Sequence, residues 1–208
     1  MFRSKKWLSF LLVITMIFTL VGCSNSDGDS YSKDFNSYLN DYFIEEVTSD
    51  TISLHYTIAN PESYGISESI QTFGTYTIDD MKEELAQTEN NLNLLKQYDL
   101  STLTTEEQLI YKILDQNLSQ TLQLGDYLYY QECLGPTTGL QAQLPILLAE
   151  FTFYDEEDVK DYLGMLSSIN EFYSEIASFE REKASHGYFM SDDVADLIIA
   201  QCMSLIHI

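Results

Sequence analysis

The chain has 208 residues, 45% hydrophobic and 13% aromatic, which is enough apolar material for a core and too much for intrinsic disorder. It carries 10 Lys+Arg against 33 Asp+Glu, a formal charge of −23. So acidic a surface repels phosphate backbones and anionic lipid, so no nucleic-acid partner is expected and the folded part is not expected to adsorb to membranes by charge.

In chain order, Arg3, Lys5 and Lys6 precede an uncharged apolar run from Trp7 to Leu20, and Leu20-Val21-Gly22-Cys23 closes it. A basic start, a short apolar core and small residues at a cut describe a secretory signal. A spanning helix needs about 20 consecutive apolar residues. This run is shorter and contains Ser9, Thr15 and Thr19. The closing four residues resemble the lipobox of bacterial lipoproteins. That resemblance implies cleavage between Gly22 and Cys23 and lipid attachment at the Cys23 thiol.

Residues 1–22 are thus expected to be a lipoprotein signal peptide, residues 23–33 a flexible tether and residues 34–208 a helical domain. One acyl chain anchors marginally, whereas a diacylated cysteine anchors durably. The expected location is the extracytoplasmic face of the cell membrane, with palmitate-type chains on Cys23. Loss of residues 1–22 removes three basic residues, leaving seven against 33 acids, a net charge of −26.

Phe35, Tyr38, Leu39, Tyr42 and Phe43 recur at three- and four-residue spacing, which predicts a helix from about Lys33 to Val47. Ile52, Leu54, Tyr56 and Ile58 then alternate with polar residues, which predicts an extended segment near residues 51–58. Thr77 caps a predicted helix with Asp79 and Asp80 in its first turn and Ile78, Met81, Leu85, Leu92 and Leu95 along one face.

Thr104-Thr105-Glu106-Glu107 is a capping box before a helix expected to run to about Cys133. Residues from Gly135 to Pro145 read as a loop, followed by a short apolar segment to Phe153. Asp155 caps a long helix whose stripe includes Val159, Tyr162, Leu163, Phe172, Ile176 and Phe179. Ser185-His186-Gly187 ends it, and Ser191 opens a last helix carrying Val194, Leu197, Ile198 and Cys202. The fold class is mainly α, a multi-helix bundle with one short extended segment. The chain stops within an apolar face, which reads as the N-terminal part of a longer domain.

Chemistry-bearing motifs are few. His55, His186 and His207 lack the one-turn pairing of H-E-x-x-H that holds zinc. His55 is placed on the polar side of the extended segment. The acids Asp155 to Asp158 complement a helix start without needing an ion. Glu45 and Glu46 are neighbours in sequence and read as solvated acids rather than a catalytic pair. Cys133 and Cys202 are treated as buried small apolar residues, although an exported chain could join them. No catalytic residue and no metal ligand is assigned.

Phe35-Asn36-Ser37-Tyr38-Leu39, the Ser49-to-Tyr64 segment with Asn60-Pro61 and Tyr64-Gly65, Leu134-Gly135-Pro136 through Leu144-Pro145, Asp158 to Leu163 and the Gly187-to-Cys202 stretch together resemble one bacterial family, "domain of unknown function 885". The resemblance implies a helical, exported protein related to zinc peptidases. Longer relatives are expected to hold zinc with an H-E-x-x-P-G-H-H-type element further along, which this sequence does not contain. It therefore implies no cofactor in this chain and no activity on its own. The expected partners are the membrane through Cys23, peptides and the C-terminal region of a longer relative. The alternative is a non-catalytic, surface-tethered module that binds peptides or proteins.

Overall fold

The computed structural model describes residues 34–67 and 70–206, so the signal, the tether, Cys23 and His207 lie outside the described residues. The described part forms seven α-helices and no strand, linked by loops and short 3₁₀ turns. No helix among the described residues is long and apolar enough to cross a membrane.

Helix α1 spans Phe35–Val47 and α2 spans Thr51–Thr57. The latter corrects the extended segment expected there. Asp50 decides it: its carboxylate accepts from the Ser53 N–H at 2.8 Å and the Ser53 hydroxyl at 2.6 Å, an N-cap that starts a helix. The helix buries Thr51 and Leu54, and Ile58, the residue that ends it, is buried four positions on. Segment 70–72 is tied to it through Thr51 Oγ1, which donates to the Ile70 carbonyl and accepts from the Thr72 N–H.

Helix α3 (Ile78–Leu95) begins at Thr77, whose hydroxyl accepts from the Asp80 N–H. Helix α4 (Thr105–Leu124) begins at the expected Thr104–Glu107 capping box. The two run antiparallel, as the Lys96–Asp115 pair at one end and the Leu85–Gly125 approach at the other require. A Cβ on Gly125 would meet Leu85 Cδ1 at 2.8 Å, so glycine lets the 3₁₀ turn Gly125–Tyr130 follow closely. Helix α4 therefore stops at Leu124, short of the expected Cys133.

The stretch expected to be a loop up to Pro145 is helical from its middle. Helix α5 spans Leu140–Ala149 and includes Pro145. Pro145 lies in the second turn, where it removes only the bond to the Gln141 carbonyl, and the helix continues for four residues beyond it. Helix α6 (Glu156–Ser185) is capped by Asp155, which accepts from the N–H groups of Glu157 and Asp158, and the Asp158 carboxylate closes the box. His186 and Gly187 end it, with Gly187 at φ 85°. Helix α7 spans Asp192–Ile206.

Three apolar clusters hold these elements. Phe35 and Tyr38 of α1 meet Leu92, Leu95 and Leu118 of the α3–α4 hairpin. Val47, Leu54, Ile58 and Ile66 pack α1 and α2 with the segment that follows. Met81, Cys133, Leu144, Phe172, Ile176 and Phe179 join α3, α5 and α6. Of the stripe expected along α6, Val159 and Leu163 face solvent, while Phe172, Ile176 and Phe179 are buried; Met165 is wholly buried ahead of them.

Candidate functional site

Three polar places stand out. The first is a buried cluster at the end of α6. Lys183 is 1% exposed, and its ammonium donates to the Gln131 carbonyl at 2.7 Å and pairs with Glu132 at 3.0 Å and Glu180 at 3.7 Å. Cys133 Sγ donates to Glu180 Oε1 at 3.1 Å. Burial and the neighbouring Glu180 carboxylate push the Cys133 thiol up to about 12, so it stays protonated and cannot serve as a nucleophile at neutral pH. Burial also raises the Tyr76 phenol, with Cys133 and Glu180 adding to the effect. The cluster holds the 131–133 segment against α6, and its chemistry is structural. Cys133 is buried, as read from the sequence, but as a hydrogen-bond donor. Cys202 is exposed, against the expectation, and both thiols are free.

The second place is a groove of about 530 Å³ between α1, α3 and α4. Glu45 reads as solvated in sequence and is exposed, yet its carboxylate is engaged by the amides of Gln87 and Asn91. Glu84 is raised from its ordinary value by burial and by repulsion from Asp80 and Glu46. The phenol of Tyr42 is pushed up to about 12 by burial and by Glu46. Thr88, Asn117, Thr121 and Gln131 also line the groove. Such walls combine hydrogen-bond donors and acceptors with the carboxylates of Glu45, Glu46 and Glu84.

The third is a cleft of about 470 Å³ between α2, the 3₁₀ turn Pro61–Tyr64 and the start of α6. His55 forms its inner wall. Its side chain is 8% exposed, and its ring is stacked on Phe151 with centroids 3.7 Å apart. Its Nδ1 lies 3.4 Å from Asp158 Oδ1, while Asp158 Oδ2 accepts the N–H groups of Tyr154 and Asp155. The helical phase of α2 turns His55 inward beside Leu54 and Ile58, which corrects the solvent-facing position expected for it. Sequence reasoning missed this pairing because 103 residues separate the partners. The available signal was the Thr51, Leu54, Ile58 spacing behind an Asp50 cap.

His186 caps α6, its Nδ1 2.9 Å from the Glu182 carbonyl and its ring stacked on Tyr129. The two described histidines are thus held apart in separate structural roles. Among the described residues no group of three or more His, Cys, Asp or Glu is arranged to hold a metal ion.

No curated protein and no solved structure matches the chain. A family match spans residues 62–208, which takes in helices α3 to α7 and leaves α1 and α2 ahead of it. It covers more than two thirds of the sequence, and the chain belongs to the family described as "Bacterial protein of unknown function (DUF885)".

Proposed function

We propose that this chain is a membrane-anchored extracytoplasmic lipoprotein whose helical domain holds polypeptide, in the manner expected of the N-terminal helical region of a zinc metallopeptidase. The observation that carries the holding role is the groove between α1, α3 and α4. Its amides, hydroxyls and carboxylates are placed along three helices, and they complement the alternating donors and acceptors of an extended peptide. The anchoring role rests on the residues from Arg3 to Cys23.

On this reading the domain contributes a wall, and any water-activating metal would come from an H-E-x-x-H-type element that this sequence lacks. A second reading, a self-contained tethered module that binds without cutting, is favoured by the engagement of Glu45 with Gln87 and Asn91, which presets the groove's polar groups.

Two measurements test these roles. The Cys23→Ser form should move from the membrane to the soluble fraction, and its retention in membranes would overturn the anchor. The purified full chain should bind members of a random peptide array and leave them uncut. Binding lost in a Glu84→Gln, Asn117→Ala double variant supports the groove. Stoichiometric zinc with peptide hydrolysis would overturn a purely holding role.

A further inference from the structure

We propose that the outward face of α4, with the 3₁₀ turn that follows it, is a dimer interface on which a second copy of this chain packs its own α4 antiparallel. This goes beyond the peptide groove and does not depend on it, since the groove shares only Leu124 with this face.

The first support is the spacing. Leu118, on the inner side of α4, packs with Phe35, Tyr38, Leu92 and Leu95. On the opposite side Leu109, Ile113, Gln116, Gln120, Gln123 and Tyr127 are all exposed, and they recur in steps of four and three. That is the seam spacing by which paired helices interlock. Leu109, Ile113, Leu124 and Tyr127 each keep more than half of their surface in water, although they are large and apolar. The rings of Tyr130 and Tyr188, with centroids 4.7 Å apart, extend the face past the end of the helix.

The second support is charge complementarity, which singles out a copy of the same chain. At −23 overall, most approaches between two copies set carboxylate against carboxylate. Between Gln108 and Gly125 the charged residues are Lys112 and Asp115, and Asp115 turns inward to Lys96 of α3. The outward face therefore meets its own image without acidic repulsion. Lys112 and Asp126 are both exposed and lie two heptads apart on one flank of the seam. An antiparallel pair that sets Leu109 against the partner's Tyr127 sets Ile113 against the partner's Gln123 and Gln116 against the partner's Gln120. The same register brings Lys112 beside the partner's Asp126, and the twofold axis makes that ion pair twice. The central glutamines, able to bond across the axis, fix the register as single polar seam residues do.

The third support is area. At their fractional exposures the side chains of Tyr127, Tyr130 and Tyr188 present roughly 300 Å² per copy, taking about 200 Å² for a whole one. A specific dimer buries about 800 Å² per partner. Three aliphatic side chains and three glutamines of the seam supply the rest. An apolar face of this extent is larger than monomers ordinarily leave in water, and a self-complementary patch closed by a twofold axis is the commonest way to cover one.

Sedimentation velocity of the full chain in density-matched detergent, across the micromolar range, tests the interface. The chain should pass from monomer to dimer as its concentration rises, and Leu109→Ser should weaken the dimer at least tenfold. Lys112→Asp and Asp126→Lys, both at exposed positions that leave the core untouched, should each weaken it at least threefold, because each sets like charges together. An equal mixture of those two variants should recover the affinity of the original chain, since the mixed pair restores both contacts; unfolded variants could not do this. A monomer throughout, a trimer or larger assembly, a dimer indifferent to all three variants, or a mixture no better than its components would overturn the proposal. Peptide binding in the groove should be unchanged by Leu109→Ser, so the two sites fail separately.

Discussion

Lys183 and Glu180, one turn apart on α6 and both buried, meet at Glu180 Oε1, which also accepts from the thiol of Cys133. The ammonium is also the donor that satisfies the Gln131 carbonyl, so four residues from two distant stretches meet at one point. Removing one partner of a buried ion pair strands the other charge, at a cost of about 3–5 kcal/mol. Lys183→Met should therefore lower the urea midpoint sharply with little change in slope. Adding Glu180→Leu should recover much of the loss, because both charges are then gone. A double variant no better than the single one would contradict this account.

Thiol reactivity should separate the two described cysteines. Cys133 is buried and its thiol is held up to about 12, whereas Cys202 is exposed. Brief alkylation of the native chain at pH 8 should label Cys202 and spare Cys133, and alkylation in urea should label both. Peptide mass mapping reads the outcome directly. Fast native labelling of Cys133 would show that the 131–133 segment opens readily.

Alkali should destabilise the fold in a defined window. Tyr38 and Tyr42 rise from 10.0 to about 12, mainly through burial, and Cys133 rises from 9.0 to about 12. Each group keeps its proton longer in the folded chain than in the unfolded one. Unfolding therefore releases protons above the unfolded values, and stability falls as pH rises. The stabilisation is complete below about pH 9 and disappears progressively towards pH 12. Tyrosinate absorbance should show a late-titrating group of phenols, and the thermal midpoint should drop across the same interval. A midpoint flat to pH 12 would contradict these assignments.

Asp155 should matter more than its exposed position suggests. Its carboxylate accepts from two backbone N–H groups at the start of a 30-residue helix. Asp155→Ala should cost about 0.5–2 kcal/mol, and Asp155→Asn only a small part of that. Thermal unfolding of the two variants, run side by side, checks the difference.

Much of the fold was legible because the caps are local. Thr77, Thr104 and Asp155 each announce a helix within four residues, and each helix starts where its cap stands. Where two local signals competed, the weaker one misled. The alternation of Ile52, Leu54, Tyr56 and Ile58 is a strand pattern, but Asp50 bonding Ser53 sets a helix instead. Helix α5 lacks a side-chain cap and contains Pro145, so nothing local announced it. The cleft around His55 was the least legible part. It depends on α2 meeting residues 151–161, and no spacing within either segment carries that information. The acids of 155–158 were readable as caps, and their place beside a histidine was not.

The Lys183 cluster also fixes the length of α6. One residue inserted near Ser167 would turn everything downstream by about 100°, carrying Glu180 and Lys183 out of the interior and leaving the Gln131 carbonyl without its donor. Seven inserted residues would bring the face back to within about 20°, but displaced by two turns from segment 131–133. Helix α6 thus behaves as a ruler: the stretch from the wholly buried Met165 to Lys183 tolerates no change in length.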